Sequence, residues 1–420
     1  MAKTATVTAA SAGAALLFLL VGACPSVAAP DEDILGKADG YPVAPTIAES
    51  RQERYRVGSF SALDTLGASC TLAPSPVPLA LPTATPVNFS YRFRGTTFTL
   101  DDYMQRQRAT AVLVLHDGQI VAERYNYNRT SEMRMLSHSM AKTITELGLV
   151  KALEEGLVHS FDDTAATYVP ELKGTLYGET KIVNLMRMAS GAKYVEAYTP
   201  DDDRAKYNRI TRREGNIAAA KSVTERADPE GARFNYAGSQ TQVLGVVLRA
   251  ATHRTMCDYI DEKIWQPIGA EAKASWRLNP ADKFEVAQGD FSATVRDYAR
   301  LGEMLANDGL VSGHAVVSAE HLLDMTDASR QPPAFRPGQM QWHNSSYIGY
   351  GLQIWLLPGS HRRFALEGIY GQAIFVDPAL KLVMVHTGVG KDAAGDASGA
   401  HFAAERAALF RGIVAQYGSW

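Results

Sequence analysis

The chain has 420 residues, of which 46% are hydrophobic and 21% charged, with a formal net charge of −3. Such a balance is that of an ordinary globular protein with ample material for a large core. A charge so close to neutral argues against nucleic acid or an acidic membrane surface as the main partner.

Residues 1–28 read as a signal peptide. Lys3 supplies a short positive region, 12–23 is apolar around Leu16-Leu17-Phe18-Leu19-Leu20, and Ser26-Val27-Ala28 is a small-residue cleavage site. The apolar run is short for a membrane span. Val21-Gly22-Ala23-Cys24 also fits a lipoprotein box, in which Cys24 would be lipidated, and membrane contact is expected only in that case. Either route exports the protein, to a periplasmic or extracellular place. Cys70 and Cys257 could then form one disulfide or remain two separate thiols.

Residues 29–95 are rich in Pro, Ala and Ser and read as an arm that wraps a domain or as a partly ordered linker. A short helix is expected over 100–107. A hairpin follows, with strands at 110–115 and 119–125 around the turn His116-Asp117-Gly118. Then comes Ser137-His138-Ser139-Met140-Ala141-Lys142, where Met140, Ile144, Leu147 and Val150 recur at helical spacing. From about 162 to 287 the pattern is mainly helical, with helices expected at 180–189, 215–222, 241–251 and 256–265. A helix at 296–307 precedes strands at 350–356, 363–366, 372–376 and 382–386 and a last amphipathic helix at 401–417. Early and late strands together imply one antiparallel sheet built from both ends of the chain and interrupted by a helical insertion. The division is a sheet domain from 96–160 and 288–420, a helical domain from 161–287, and a cleft between them.

Ser139 and Lys142 lie three residues apart at a helix N-terminus, hence on one face. A serine hydroxyl attacks only if a neighbour takes its proton, and a lysine amine does so only when neutral. Burial and the positive end of the helix dipole both disfavour the ammonium form. Ser139 is therefore the candidate nucleophile and Lys142 its base. A second Ser-x-x-Lys, Ser190 to Lys193, is set aside because Gly191 ends the preceding helix.

Phe234-Asn235-Tyr236 opens a helix and offers Tyr236 as a proton relay. Glu367-Gly368-Ile369-Tyr370-Gly371-Gln372 joins two strands. It could line the cleft and aim a backbone N–H, that of Ile369, at a developing oxyanion together with the N–H of Ser139. Tyr194 to Asp203 is an acidic loop, either solvated or a substrate lid bearing Tyr198. His386-Thr387-Gly388 is a poorer third element than the 368–372 connection. No Gly-x-Ser-x-Gly, His-Glu-x-x-His, phosphate-loop or dinucleotide motif occurs, and the ten histidines lack ligand spacing, so neither a cofactor nor a metal is expected.

Taken in order, the Asp117-Gly118 hairpin, Ser139-Met140-Ala141-Lys142, Leu185 to Gly191, Phe234-Asn235-Tyr236, Ala293 to Asp297, Gly349-Tyr350-Gly351 and Gly368 to Gln372 resemble the serine β-lactamase-like family over about 95–390. Within it the similarity is to the branch of 6-aminohexanoate-dimer hydrolases and related esterases. The resemblance implies an α/β penicillin-recognising fold, with an antiparallel sheet flanked by helices plus a helical domain. It also implies the roles already given to Ser139, Lys142, Tyr236 and Ile369, and substrate contacts from Tyr198, Gly368, Tyr370 and Gln372. The expected partner is a small or short-oligomer ester or amide. A D-amino-acid peptide is a further option for the substrate, and a non-catalytic envelope binding protein the option of another class. Oligomeric state is not fixed by the sequence. Two positions depart from the pattern. Tyr236-Ala237-Gly238 lacks the side chain expected two residues after the tyrosine, and the Lys-Thr-Gly element is absent, which argues against penicillin hydrolysis.

Overall fold

The computed structural model describes residues 1–2, 28–340 and 348–420. The expected export segment, including Cys24, falls almost wholly outside them. Among the described residues no helix is long and apolar enough to cross a membrane.

A seven-stranded antiparallel sheet dominates. Its order in space is Gly349–Tyr350, Trp355–Leu357, Arg363–Gly368, Gln372–Asp377, Leu382–Gly388, Ala109–His116 and Gln119–Tyr125. The two ends of the chain meet where Leu382–Gly388 pairs with Ala109–His116, as the strand pattern predicts. Alternation explains how the central strands are covered on both faces. Leu113, Leu115, Ile374, Val376, Val383 and Val385 enter the large core shared with the helical half of the molecule. Val112, Val114, Phe375 and Met384 point the other way, onto the terminal helix Phe402–Tyr417 and Leu100–Arg106.

The helix Ala141–Glu154 runs through the larger core, against Gly238–Thr252. Their approach is close: a Cβ on Gly148 would lie 2.8 Å from Leu248 Cδ2 and 3.1 Å from Ile260 Cγ1. Gln353 locks this arrangement from the sheet side. Its amide donates to the carbonyls of Leu185 (3.2 Å) and Met186 (2.9 Å) and accepts from Thr241 (2.6 Å), while Thr143 donates to its backbone carbonyl (2.7 Å). The price is a break in the strand expected over 350–356. Gln353 takes φ 51°, and two short strands stand in place of one.

Other elements are shorter or newly apparent. The helix expected over 180–189 is Ile182–Met186, and that over 256–265 becomes an α-helix Met256–Ile260 followed by a π-type segment Asp261–Trp265. A helix Asp203–Glu214 follows the acidic loop, and a second sheet of four strands, Ser69–Leu72, Ala274–Arg277, Phe291–Thr294 and Arg134–Leu136, has no counterpart in the sequence reading. The 29–95 segment supplies its edge strand and a helix, Glu53–Ser61, with Val57 and Phe60 buried, followed by a turn that buries Leu63.

Cys70 is disulfide-bonded to Cys257, 187 residues away in sequence. The bond fastens the arm to the helical half. A cross-link over so long a loop restricts the unfolded chain most, and native disulfides commonly contribute about 2–5 kcal/mol. Replacing both cysteines with serine should lower unfolding stability by an amount of that order, measured by denaturant titration of oxidised wild type against the double variant.

Candidate active site

Ser139 sits in a single 3-10 turn, His138–Met140, that runs directly into Ala141–Glu154. His138 occupies the left-handed region at φ 45° and is buried edge-on against Phe60, 4.8 Å between ring centres, with Tyr370 in contact with both rings. A non-glycine residue in that conformation is held by its packing, and here Phe60 of the arm contributes to it. The turn leaves Ser139 partly exposed to a cavity of ~420 Å³.

Lys142 is 2% exposed. Its Nζ lies 3.0 Å from Ser139 Oγ and 2.8 Å from the Gln288 carbonyl, to which it donates. Burial pushes the amine down to about 8, reinforced by Arg204 and opposed by Glu196 and Asp290. Glu146, one turn further along the same helix, is wholly buried and its carboxyl is pushed up to about 8. At neutral pH it is therefore mostly protonated and supplies little negative charge to hold Lys142 as an ammonium ion.

Tyr236 closes the other side. Its ring stacks on Trp355, 5.7 Å between centres at 16°, and the Lys142 Nζ lies 5.2 Å from the ring centre. Burial and Glu196 raise its phenol, and a hydrogen bond with the Ser139 side chain opposes that rise. The tyrosine is placed by Asn235, whose amide donates to the carbonyls of Ala192 (3.0 Å) and Tyr194 (3.1 Å). The 190–194 stretch is thus scaffold. Ser190 is buried, and Lys193 points outward to an ion pair with Glu225 at 2.8 Å, so the second Ser-x-x-Lys does not assemble.

The segment after Arg363–Gly368 passes against the serine turn. A Cβ on Gly368 would lie 2.4 Å from the Ser137 carbonyl oxygen and 3.0 Å from the Ser139 nitrogen, so only glycine allows this approach. Ile369 lines the cavity with Ser139. Three residues expected to touch substrate do not line the cavity: Gly368, which is packed against the serine turn, Gln372 and Tyr370. Gln372 is 1% exposed, donates to the carbonyls of Gly388 (2.7 Å) and Ile369 (3.3 Å), and accepts from the Gly388 N–H (3.2 Å). Its amide is consumed in bracing the turn. Tyr370, at φ 61°, turns away to lie under Arg56 (4.3 Å to the ring centre) beside Phe60 and His138. His386, in the centre of the sheet, is bonded to Tyr103 and the Gly371 carbonyl.

Tyr198 does face the cavity, with Glu196 as a hydrogen-bond partner, Tyr236 nearby and Arg204 5.1 Å from its ring centre. The charges around it are structural rather than a freely solvated run. Asp202 caps the Asp203–Glu214 helix at Ala205 N–H (2.7 Å) and also accepts from the Ala197 N–H (2.9 Å).

Two contributors have no signal in the sequence. One is Gln288. A Cβ on Gly238 would lie 1.9 Å from Gln288 Oε1, so this glutamine fills the space left by the missing side chain of the Tyr236-Ala237-Gly238 departure. The other is the arm, whose Ile47, Ser50, Arg51, Phe60 and Leu63 line the same cavity as Ser139.

The chain as a whole has known counterparts. Residues 99–407 match the family model described as Beta-lactamase. The chain belongs to the beta-lactamase family. A 6-aminohexanoate-dimer hydrolase of Paenarthrobacter ureafaciens is 26% identical over 313 residues, covering 72% of this chain and 79% of that protein. A Bacillus anthracis structure provisionally assigned as a 6-aminohexanoate-dimer hydrolase superposes with a TM-score of 0.74 at 23% identity, covering 87% of this chain and 98% of its own. A family VIII carboxylesterase superposes at 0.53 and 17% identity, over 73% of this chain and 93% of its own. The structural matches carry the fold, and the family makes this member a serine hydrolase of the beta-lactamase fold.

Gly368→Ala tests the tight approach. The added methyl must displace the serine turn, and small misplacements of reacting groups cost up to about 100-fold. Hydrolysis of p-nitrophenyl acetate should fall by at least about tenfold while far-ultraviolet circular dichroism stays that of wild type.

Proposed function

We propose that the protein is an exported hydrolase that cleaves esters and short linear amides through an acyl-enzyme on Ser139. Neutral Lys142 takes the Ser139 proton as Oγ attacks the carbonyl carbon. The oxyanion that forms is met by the backbone N–H groups of Ser139 and Ile369. Tyr236 shares the proton with Lys142 and delivers it to the departing alcohol or amine, so the carbon–oxygen or carbon–nitrogen bond breaks and the acyl group stays on Oγ. Water, deprotonated by the same lysine and tyrosine, then adds to the acyl carbonyl and frees the acid and the serine. Tyr198 flanks the bound substrate. The observation that carries this reading is the 3.0 Å contact between Ser139 Oγ and a buried Lys142 amine whose pKa is depressed to about 8.

Amide cleavage is included because the Paenarthrobacter relative is named for it, and ester cleavage because the same chemistry serves the easier leaving group. Export is supported by the 1–28 sequence pattern and by the Cys70–Cys257 disulfide, which persists best outside the cytosol.

Turnover of p-nitrophenyl acetate, p-nitrophenyl butyrate and a linear aminohexanoate dimer by wild type and Ser139→Ala is the direct experiment. The substitution should reduce kcat/KM at least about 1,000-fold, and Tyr236→Phe by about 100-fold. Undiminished hydrolysis in Ser139→Ala would refute the mechanism.

The pH dependence has a definite sign. Only the unprotonated amine can accept a proton, so kcat/KM should rise with pH and level off above a midpoint near 8, the depressed Lys142 value. A rate already flat from pH 6 upward would remove Lys142 as the base.

A further inference from the structure

Among the described residues the cavity beside Ser139 is lined by Arg51, Arg204, Arg209, Arg212 and Arg277, and by two carboxylates, Glu196 and Asp290. The five guanidinium groups come from three separate stretches: the arm, the Asp203–Glu214 helix and the strand Ala274–Arg277. Much of the positive charge is uncompensated. Arg277 is paired with Asp290, its Nε 2.7 Å from Oδ2. Arg204 stands 3.7 Å from Asp202, too far for a hydrogen bond, and its buried Nε has no acceptor. Glu196 is occupied by the Gly238 N–H at 2.7 Å. Among the described residues Arg51, Arg209 and Arg212 form no close ion pair: Arg51 acts on Asp290 only through space, and Arg209 donates only to the Pro200 carbonyl. Burial, and then the neighbouring cations Arg277, Arg209, Arg51 and Arg204, push the Arg212 pKa down.

Like charges gathered from separate segments at one cavity repel one another, although Arg212 also stands in the last turn of its helix, where a cation meets the negative end of the dipole. Guanidinium groups suit carboxylates because their planar forks donate two parallel hydrogen bonds. Resting on the hydrolase reading above, we infer that Arg51, Arg209 and Arg212 form an anion subsite and that the preferred substrates are esters or amides carrying a free carboxylate. The carboxylate sits either on the acyl part or on the leaving part. The same arginines explain how a site without the Lys-Thr-Gly cation can hold an acidic substrate, since the positive charge stands on the helical and arm side of the cavity.

Two substrate pairs test this with the full-length protein. Monoethyl glutarate against ethyl butyrate places the carboxylate on the acyl side. 4-Acetoxybenzoate against phenyl acetate places it on the leaving side. One pair should show kcat/KM at least about tenfold higher for the acid, as charge-assisted hydrogen bonds contribute. That preference should shrink about tenfold in Arg51→Gln/Arg212→Gln and weaken with added salt. No preference in either pair, or one that survives the double substitution, overturns the subsite. Failure of the hydrolase mechanism is read separately, from hydrolysis that is absent or insensitive to Ser139→Ala. The subsite is then judged by calorimetric titration of glutarate into the Ser139→Ala protein. Binding that is weakened in the Ser139→Ala/Arg51→Gln/Arg212→Gln protein supports it, and absence of binding overturns it.

Discussion

An amine buried without a carboxylate against it is the constraint on which this molecule turns. A lysine in the protein interior must find an anion or lose its proton. Lys142 meets a serine hydroxyl, a backbone carbonyl and the face of a tyrosine ring. Much of the surrounding structure keeps it so. Gly148 lets the helix that carries Lys142 press into the core, and Gln353 ties that helix to two neighbours. The Gln288 carbonyl offers a dipole where an aspartate would have restored the charge.

Rigidity around the serine follows from the same demand. The proposed chemistry needs Oγ, Nζ and the two N–H groups within fractions of an ångström of their places. The glycine at 368 brings two segments, remote in sequence, to van der Waals contact. His138 is then held in an uncommon backbone conformation by a cluster with Phe60 and Tyr370. Gln372 and Tyr370 serve this bracing, which is why neither opens to substrate.

What was legible in the sequence was local or periodic. The spacing of Ser139 and Lys142 on a helix, the 109–125 hairpin with its Asp117-Gly118 turn, and the late strands all follow from patterns spanning a few residues. Elements that owe their form to distant partners were not. The Asp203–Glu214 helix is polar nearly all round, buries chiefly Tyr207 and Thr211, and has no apolar stripe to announce it. The four-stranded sheet is made of strands of three or four residues, too short for alternation to show. Gln288 beside Gly238 is a contact across fifty residues, and no property of a lone glutamine signals it. In the same way a Pro-rich stretch reads as a wrapping arm or a linker, and only its folded course reveals Phe60 behind the serine turn and Arg51 at the cavity.

That course has a consequence for how such a protein diversifies. The stretch 47–63 precedes the region shared with the family, 99–407, yet forms one wall of the cavity. Recognition is therefore written partly outside the stretch that carries the reaction, the rest of the wall coming from Tyr198 and the Asp203–Glu214 helix. Mutations in the leading stretch can retune which molecules are admitted while the environment of the lysine is left alone. A recombinant trimmed to the shared region would lose, along with that wall, the Phe60 packing behind the serine turn.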